Sequence, residues 1–132
     1  MSPAPGERGA VAPLLLGVCA LVLLVGLALA EVGALLTARL QAETAADAAA
    51  LAAAPVTFRP FGARAGPVDE ARRFAEANGA RLVSCLCPVD RSWAAREVTV
   101  VVAREVALLG YGAVIVRATS RARFEPARLL LP

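Results

Sequence analysis

Residues Ala10 to Ala30, "AVAPLLLGVCALVLLVGLALA", form a run of 21 residues without a single charge. About 20 apolar residues in a helix, at 1.5 Å per residue, match the roughly 30 Å hydrocarbon core of a bilayer. Such a run is a transmembrane helix or a long signal peptide, and it limits the rest of the 132-residue chain to one modest domain. The helical pattern does not stop at Ala30. No Gly or Pro interrupts the chain from Ala34 to Ala54, and "AETAADAAALAAA" (Ala42 to Ala54) holds nine alanines in thirteen residues. One helix is therefore expected from about Pro13 to Ala54. At about 60 Å it is twice the thickness of a membrane, so its second half must project.

Beyond Ala54 the expected organisation is a linker, 55–67, and a small α+β domain, 68–132; the nine residues "MSPAPGERG" before the apolar run read as a disordered, cytoplasmic N-terminus. In "PVDEARRFAEANG" the acids Asp69 and Glu70 occupy a first helical turn. Val68, Ala71, Phe74 and Ala75 fall on one face, and Asn78 with Gly79 make a stop. The period then drops to 2. "ARLVSCLC" and "REVTVVVA" read as two strands joined by "PVDRSWAAR". "AVIVRATSRARFEP" is a third, with Val114, Val116, Ala118, Ala122 and Phe124 on one face and Arg117, Thr119, Arg121 and Arg123 on the other. The fold class is α+β: a long N-terminal transmembrane and stalk helix, then a short helix on a three-stranded antiparallel sheet.

Composition excludes much chemistry. The chain has no His, the commonest general base and metal ligand, and no glycine-rich phosphate loop; its carboxylates are scattered singly. No catalytic, cofactor or metal site is expected, and the chain is read as non-enzymatic. From Pro55 onward twelve arginines face seven acids, a balance of +5 that is too mixed for a nucleic-acid footprint. The Arg117, Arg121 and Arg123 stripe suits anionic headgroups or an acidic partner, but the ordinary reading, a solvated strand face, is favoured. Trp93 is read either as a membrane-interface anchor or as a lid over the core. Cys85 and Cys87, two apart in a strand, sit near the limit of Cα separation for a disulfide and are expected as buried free thiols.

Small side chains let helix backbones approach closely. Gly26 and Ala30 offer this within the apolar segment, with Gly33 one turn further on, and Ala46, Asp47, Ala50 and Ala53 offer it within the alanine-rich extension, so these seven are the candidate helix-packing residues, against like helices or further copies of the chain. The segment Arg8 to Ala54 resembles the N-terminal region of the TadE/TadG-like proteins of tight-adherence (Flp) pilus assembly. The shared features are Arg8-Gly9 at the start, the apolar helix, and Ala45, Ala46, Asp47, Ala48, Ala49, Ala50 and Leu51 at the end. "EARRFAEANGARLVSC", Glu70 to Cys85, also looks like small actinobacterial proteins of that kind. The resemblance implies a membrane-anchored, minor-pseudopilin-like or accessory component whose partners are the lipid bilayer and other membrane proteins of the pilus or secretion apparatus. In the family a prepilin peptidase cuts after a Gly, with a Glu five residues into the mature helix. Here the fifth position after Gly9 is Leu14, and the first acid is Glu31, so the sequence departs from that pattern and an uncut anchor is expected. The competing class is a secreted binding protein or effector released after "ALA", Ala28 to Ala30, which matches a signal-peptidase site.

Overall fold

The computed structural model describes residues 11–58 and 65–130; the expected N-terminal tail, 1–9, and residues 59–64 of the expected 55–67 linker lie outside the described residues. One helix, α1 (Val11–Val56), runs for 46 residues, about 69 Å at 1.5 Å each. It passes through Pro55 in its last turn. After it come α2 (Pro67–Ala77), then β1 (Arg81–Leu86), β2 (Arg96–Leu108), β3 (Gly112–Phe124) and a closing 3₁₀ turn, Pro126–Leu130. The sheet is antiparallel in the order β1-β2-β3. The α+β architecture is thus the one expected.

The two halves of α1 have different surroundings. From Val11 to Thr37 the helix is exposed, apart from a half-buried Glu31. From Ala38 onward it packs against α2, β2 and β3. Ala42, Ala45, Ala46, Ala49, Ala50 and Ala53 are wholly buried, while Leu51 on the opposite side is 68% exposed. The helix buries its methyl groups and leaves its large side chain in solvent, the reverse of the usual preference. The reason is geometric. Alanines at 42, 45, 46, 49, 50 and 53 lie along one side at helical spacing, and only small side chains let α1 lie close to α2 and to the valine face of the sheet at once. Val98, Val100 and Val102 supply that face from β2, with Ala118 and Ala122 from β3.

The same closeness corrects the expected face of α2. Pro67, Ala71 and Ala75 are buried, but Val68 and Phe74 lie exposed at the rim, and the Arg73 guanidinium sits over the Phe74 ring at 5.2 Å. Between two helix backbones held apart only by alanines there is no room for a phenyl ring. Beyond Ala77 the chain leaves the helix by a Schellman turn: Ala80 N–H donates to the Ala75 carbonyl, and Gly79 N–H to that of Glu76, both at 2.9 Å. Gly79 has φ +72°. A methyl group there would also lie 2.5 Å from Arg104 Nη1, which donates to the Gly79 carbonyl.

A uniform alternation along β1 does not survive either. The register slips between Leu82 and Ser84, leaving Val83 as the bulged residue, so that Leu82 and then Cys85 pack on the core while Ser84 and Leu86 face solvent. The strands β2 and β3 are longer than the sequence pattern suggested. Their pairing continues past Ala103 and Arg117 to Leu108 and Gly112, closing through Leu109, Gly110 and Tyr111 with positive φ at Gly110 and Gly112. Thirteen residues at about 3.3 Å make each arm about 40 Å long. That equals about 27 residues of helix, and the hairpin runs alongside α1 over that length, from Phe58 near Phe124 to Glu31 at the hairpin tip.

Candidate functional site

The exposed first half of α1 is the feature with the fewest partners inside the chain. It is long and apolar enough to cross a membrane, and none of the most apolar stretch is covered by the rest of the protein. Gly26, Ala30 and Gly33 all lie on this exposed part, and a Cβ built on Gly26 or Gly33 meets nothing within 4 Å. A second helix thus has free access to them. Ala46, Ala50 and Ala53 are placed otherwise. They are fully buried against elements of the same chain, whereas Asp47 between them is exposed. The seven packing candidates are therefore not one surface: three are open on the exposed half of α1, three are enclosed in the domain, and Asp47 faces water.

Where the apolar run ends, the hairpin tip meets it. Leu109 N–H donates to Glu31 Oε1 at 2.9 Å, tying the tip to α1. Glu31 Oε2 is shielded from solvent without a hydrogen-bond partner.

The opposite end of the domain holds a cluster that sequence patterning did not reveal. Arg96 is 9% exposed and its guanidinium donates to four carbonyls: Thr57 at 3.2 Å, Asp90 at 2.7 Å, Ala94 at 3.2 Å, and Ser92. It also lies over the Phe58 ring at 5.5 Å. Phe58 in turn packs edge-on to Trp93, with centroids 4.9 Å apart. Asp90 N–H donates to the Thr57 carbonyl, and the Thr57 hydroxyl to that of Ala54 at 2.6 Å. The arginine thereby staples the 87–95 loop to the end of α1, satisfying carbonyls that neither helix nor sheet can reach. Trp93 is the lid of the two alternatives. Phe58 beneath it is 27 residues, about 40 Å of helix rise, beyond Glu31, too far to reach a bilayer around the apolar segment. Within this loop the Ser92 hydroxyl and N–H both donate to Asp90, and these bonds hold its carboxyl below the usual carboxylate range.

Cys85 and Cys87 form a disulfide, which corrects the expectation of free thiols. β1 ends at Leu86, so Cys87 is already off the strand, and the departure from extended backbone brings the Cα atoms to 5.4 Å, inside the range a disulfide tolerates. Cys19, on the exposed part of α1, is free. The arginine stripe lies on the uncovered sheet face. There Arg121 approaches Glu97 at 3.8 Å and Arg123 bonds Glu125 at 2.9 Å. Among the described residues no group of three or more Cys, Asp or Glu converges as a metal site would require.

A single exposed apolar helix continuous with a compact α+β domain defines a class: a domain carried on one membrane-competent helix. Residues 9–56 match the family model described as putative Flp pilus-assembly TadE/G-like. The match covers α1 and stops where α1 stops, so it includes neither the sheet nor the Glu70 to Cys85 stretch. It supports a role related to pilus assembly. No curated protein and no solved structure matches the chain.

Proposed function

We propose that the chain is a membrane-anchored, non-enzymatic component of a Tad-type Flp pilus or secretion apparatus, an accessory or minor-pseudopilin-like protein that assembles through its helix. The observation that carries this reading is the coincidence of the family match with α1, whose first half is apolar and uncovered. In this reading α1 crosses the membrane once, uncut, with the domain on the extracytoplasmic side. The Cys85–Cys87 disulfide fits such an oxidising compartment. Gly26 and Ala30, with Gly33 just beyond the hydrocarbon, meet a helix of a partner membrane protein or of a second copy, because small residues let two helices pack closely where the hydrophobic effect gives no drive. Ala46, Ala50 and Ala53 contribute indirectly, by holding the domain rigidly on the helix.

The test begins with the protein in its own host. Full-length mass in the carbonate-resistant membrane fraction is expected; a soluble species beginning at Glu31 overturns the anchored reading and favours the secreted one. Gly26→Leu combined with Gly33→Leu is then expected to abolish co-purification with pilus components while leaving the domain folded. Unchanged association overturns the packing role.

A further inference from the structure

Between Glu105 and Arg117 the chain has eleven consecutive uncharged residues, "VALLGYGAVIV". The sequence pattern left most of this stretch unexplained, and the structure makes it the upper third of the β2–β3 hairpin. Val116 packs on the core, but three of the large side chains face outward. Leu109 is 68% exposed, Ile115 57%, and Tyr111, the only tyrosine in the chain, 84%. In water such a tip exposes apolar surface with no compensating contact.

Its position says what covers it. The Leu109 N–H bond to Glu31 holds the tip beside the first residue after the 21-residue apolar run. If α1 spans a bilayer, the hydrocarbon ends there, and the tip sits at headgroup level whether or not it has affinity for lipid. We propose that the hairpin tip, through Leu109 and Tyr111, docks into the headgroup region of the same bilayer that α1 crosses, giving the domain a second point of attachment. The proposal rests on the membrane-spanning reading above.

The chemistry suits that layer and no deeper one. Tyrosine pairs an apolar ring with a hydroxyl and is favoured where one end is wet. Past Arg81 and its partner Ala103, β2 has lost β1 as a neighbour, so both outer edges of the hairpin carry unpaired backbone groups. Those groups are satisfied among headgroups and waters but not in hydrocarbon, which limits insertion to about 5–10 Å. The absence of charge across the tip removes the desolvation cost of entering. Arg117 lies five residues from Gly112, about 16 Å down the strand, and the stripe through Arg121 and Arg123 leads away from the membrane. The two attachments act together. A single helix leaves its domain free to swivel, whereas a hairpin touching lipid beside it selects one face of the domain to point outward.

The experiment uses the full chain in phosphatidylcholine vesicles containing lipid spin-labelled either near the headgroup or near the chain end. One variant carries Tyr111→Trp with Trp93→Phe; a second, leaving Trp93 in place, carries Tyr111→Cys with Cys19→Ser and a polarity-sensitive fluorophore. A fluorophore on Cys19 of the wild-type chain reports the span. Quenching at position 111 by the shallow label in preference to the deep one, with a blue-shifted emission, is the expected result. A water-like, unquenched signal at position 111 while the Cys19 fluorophore is quenched by the deep label overturns the proposal but leaves the span intact. So does a blue shift without quenching, which means a second copy covers the tip. Preferential quenching by the deep label overturns the headgroup placement. Loss of quenching at Cys19 removes the spanning reading, and the proposal with it.

Discussion

Replacing Ala46 by Leu separates the two surfaces that a small residue on this helix can serve. Ala46 is wholly buried, on the side of α1 that faces α2 and the sheet. Leucine adds three carbon atoms where the neighbours are alanines and helix backbone, not flexible side chains that can swing aside. Overpacking costs about 1–3 kcal/mol and more where nothing can yield, so about 3 kcal/mol is expected here. A small domain has about 5–15 kcal/mol in total. For a domain of about 60–100 residues, each kcal/mol shifts Tm by about 4–8 °C, so the loss corresponds to about 12–24 °C. Trp93 provides the signal, because its contact with Phe58 is lost when the 87–95 loop leaves α1. The full chain in detergent is heated and the tryptophan emission followed; the apolar half of α1 stays helical and silent. Ala34→Leu, on the exposed part of the helix, is the control and is expected to leave Tm unchanged. An unchanged Tm for Ala46→Leu, with loss of a co-purifying partner, would refute the reasoning, since it would put Ala46 on an intermolecular surface.

Other outcomes follow from single residues. Gly79→Ala is expected to cost about 1–2 kcal/mol from the positive φ alone. Adding Arg104→Ala removes the close approach of the guanidinium but not the backbone strain, so thermal denaturation of the double variant should recover only part of the loss. Arg96→Met leaves the carbonyls of Thr57, Asp90, Ser92 and Ala94 without their donor and is expected to destabilise by about 2–4 kcal/mol, with a red-shifted Trp93 emission; Arg96→Lys should not restore it, because an ammonium lacks the planar fork. Ser92→Ala is expected to raise the Asp90 pKa towards the ordinary carboxylate value in an NMR titration. The folded pKa of Asp90 is lowered, so its contribution to stability is present above the unfolded pKa of about 3.9 and is lost as pH falls through the folded value. A Ser92→Ala chain should lose less stability on acidification than the wild type.

Much of this architecture is readable from residue order. The apolar run, the uninterrupted helix as far as Ala54, the switch in period from 3.6 to 2 and the inward face of β3 are all local properties, and the structure has each. The phase of β1 was not legible, because a bulge at Val83 depends on pairing with β2 rather than on the residues of β1 alone. The upper hairpin was missed for a related reason: "AREVALLG" fits helix as well as strand, and only pairing of Val106 with Val114 and of Leu108 with Gly112 decides between them. The Arg96 staple had no signal at all. It joins residues 57, 90, 92 and 94 by backbone carbonyls, which are the same for every amino acid.

The alanines divide the two kinds of information most sharply. The order of residues alone determined that α1 is a long helix, that its first half is apolar enough for lipid, and that its second half invites a very close neighbour, since helix propensity and side-chain volume belong to each residue separately. It did not determine the neighbour. Ala42 to Ala54 meets α2 and the sheet of its own chain because β2 and β3 are long enough to lie along the helix, with valines and alanines facing it. Closeness is a property of small side chains; what comes close is decided by the pairing and packing of residues distant in sequence.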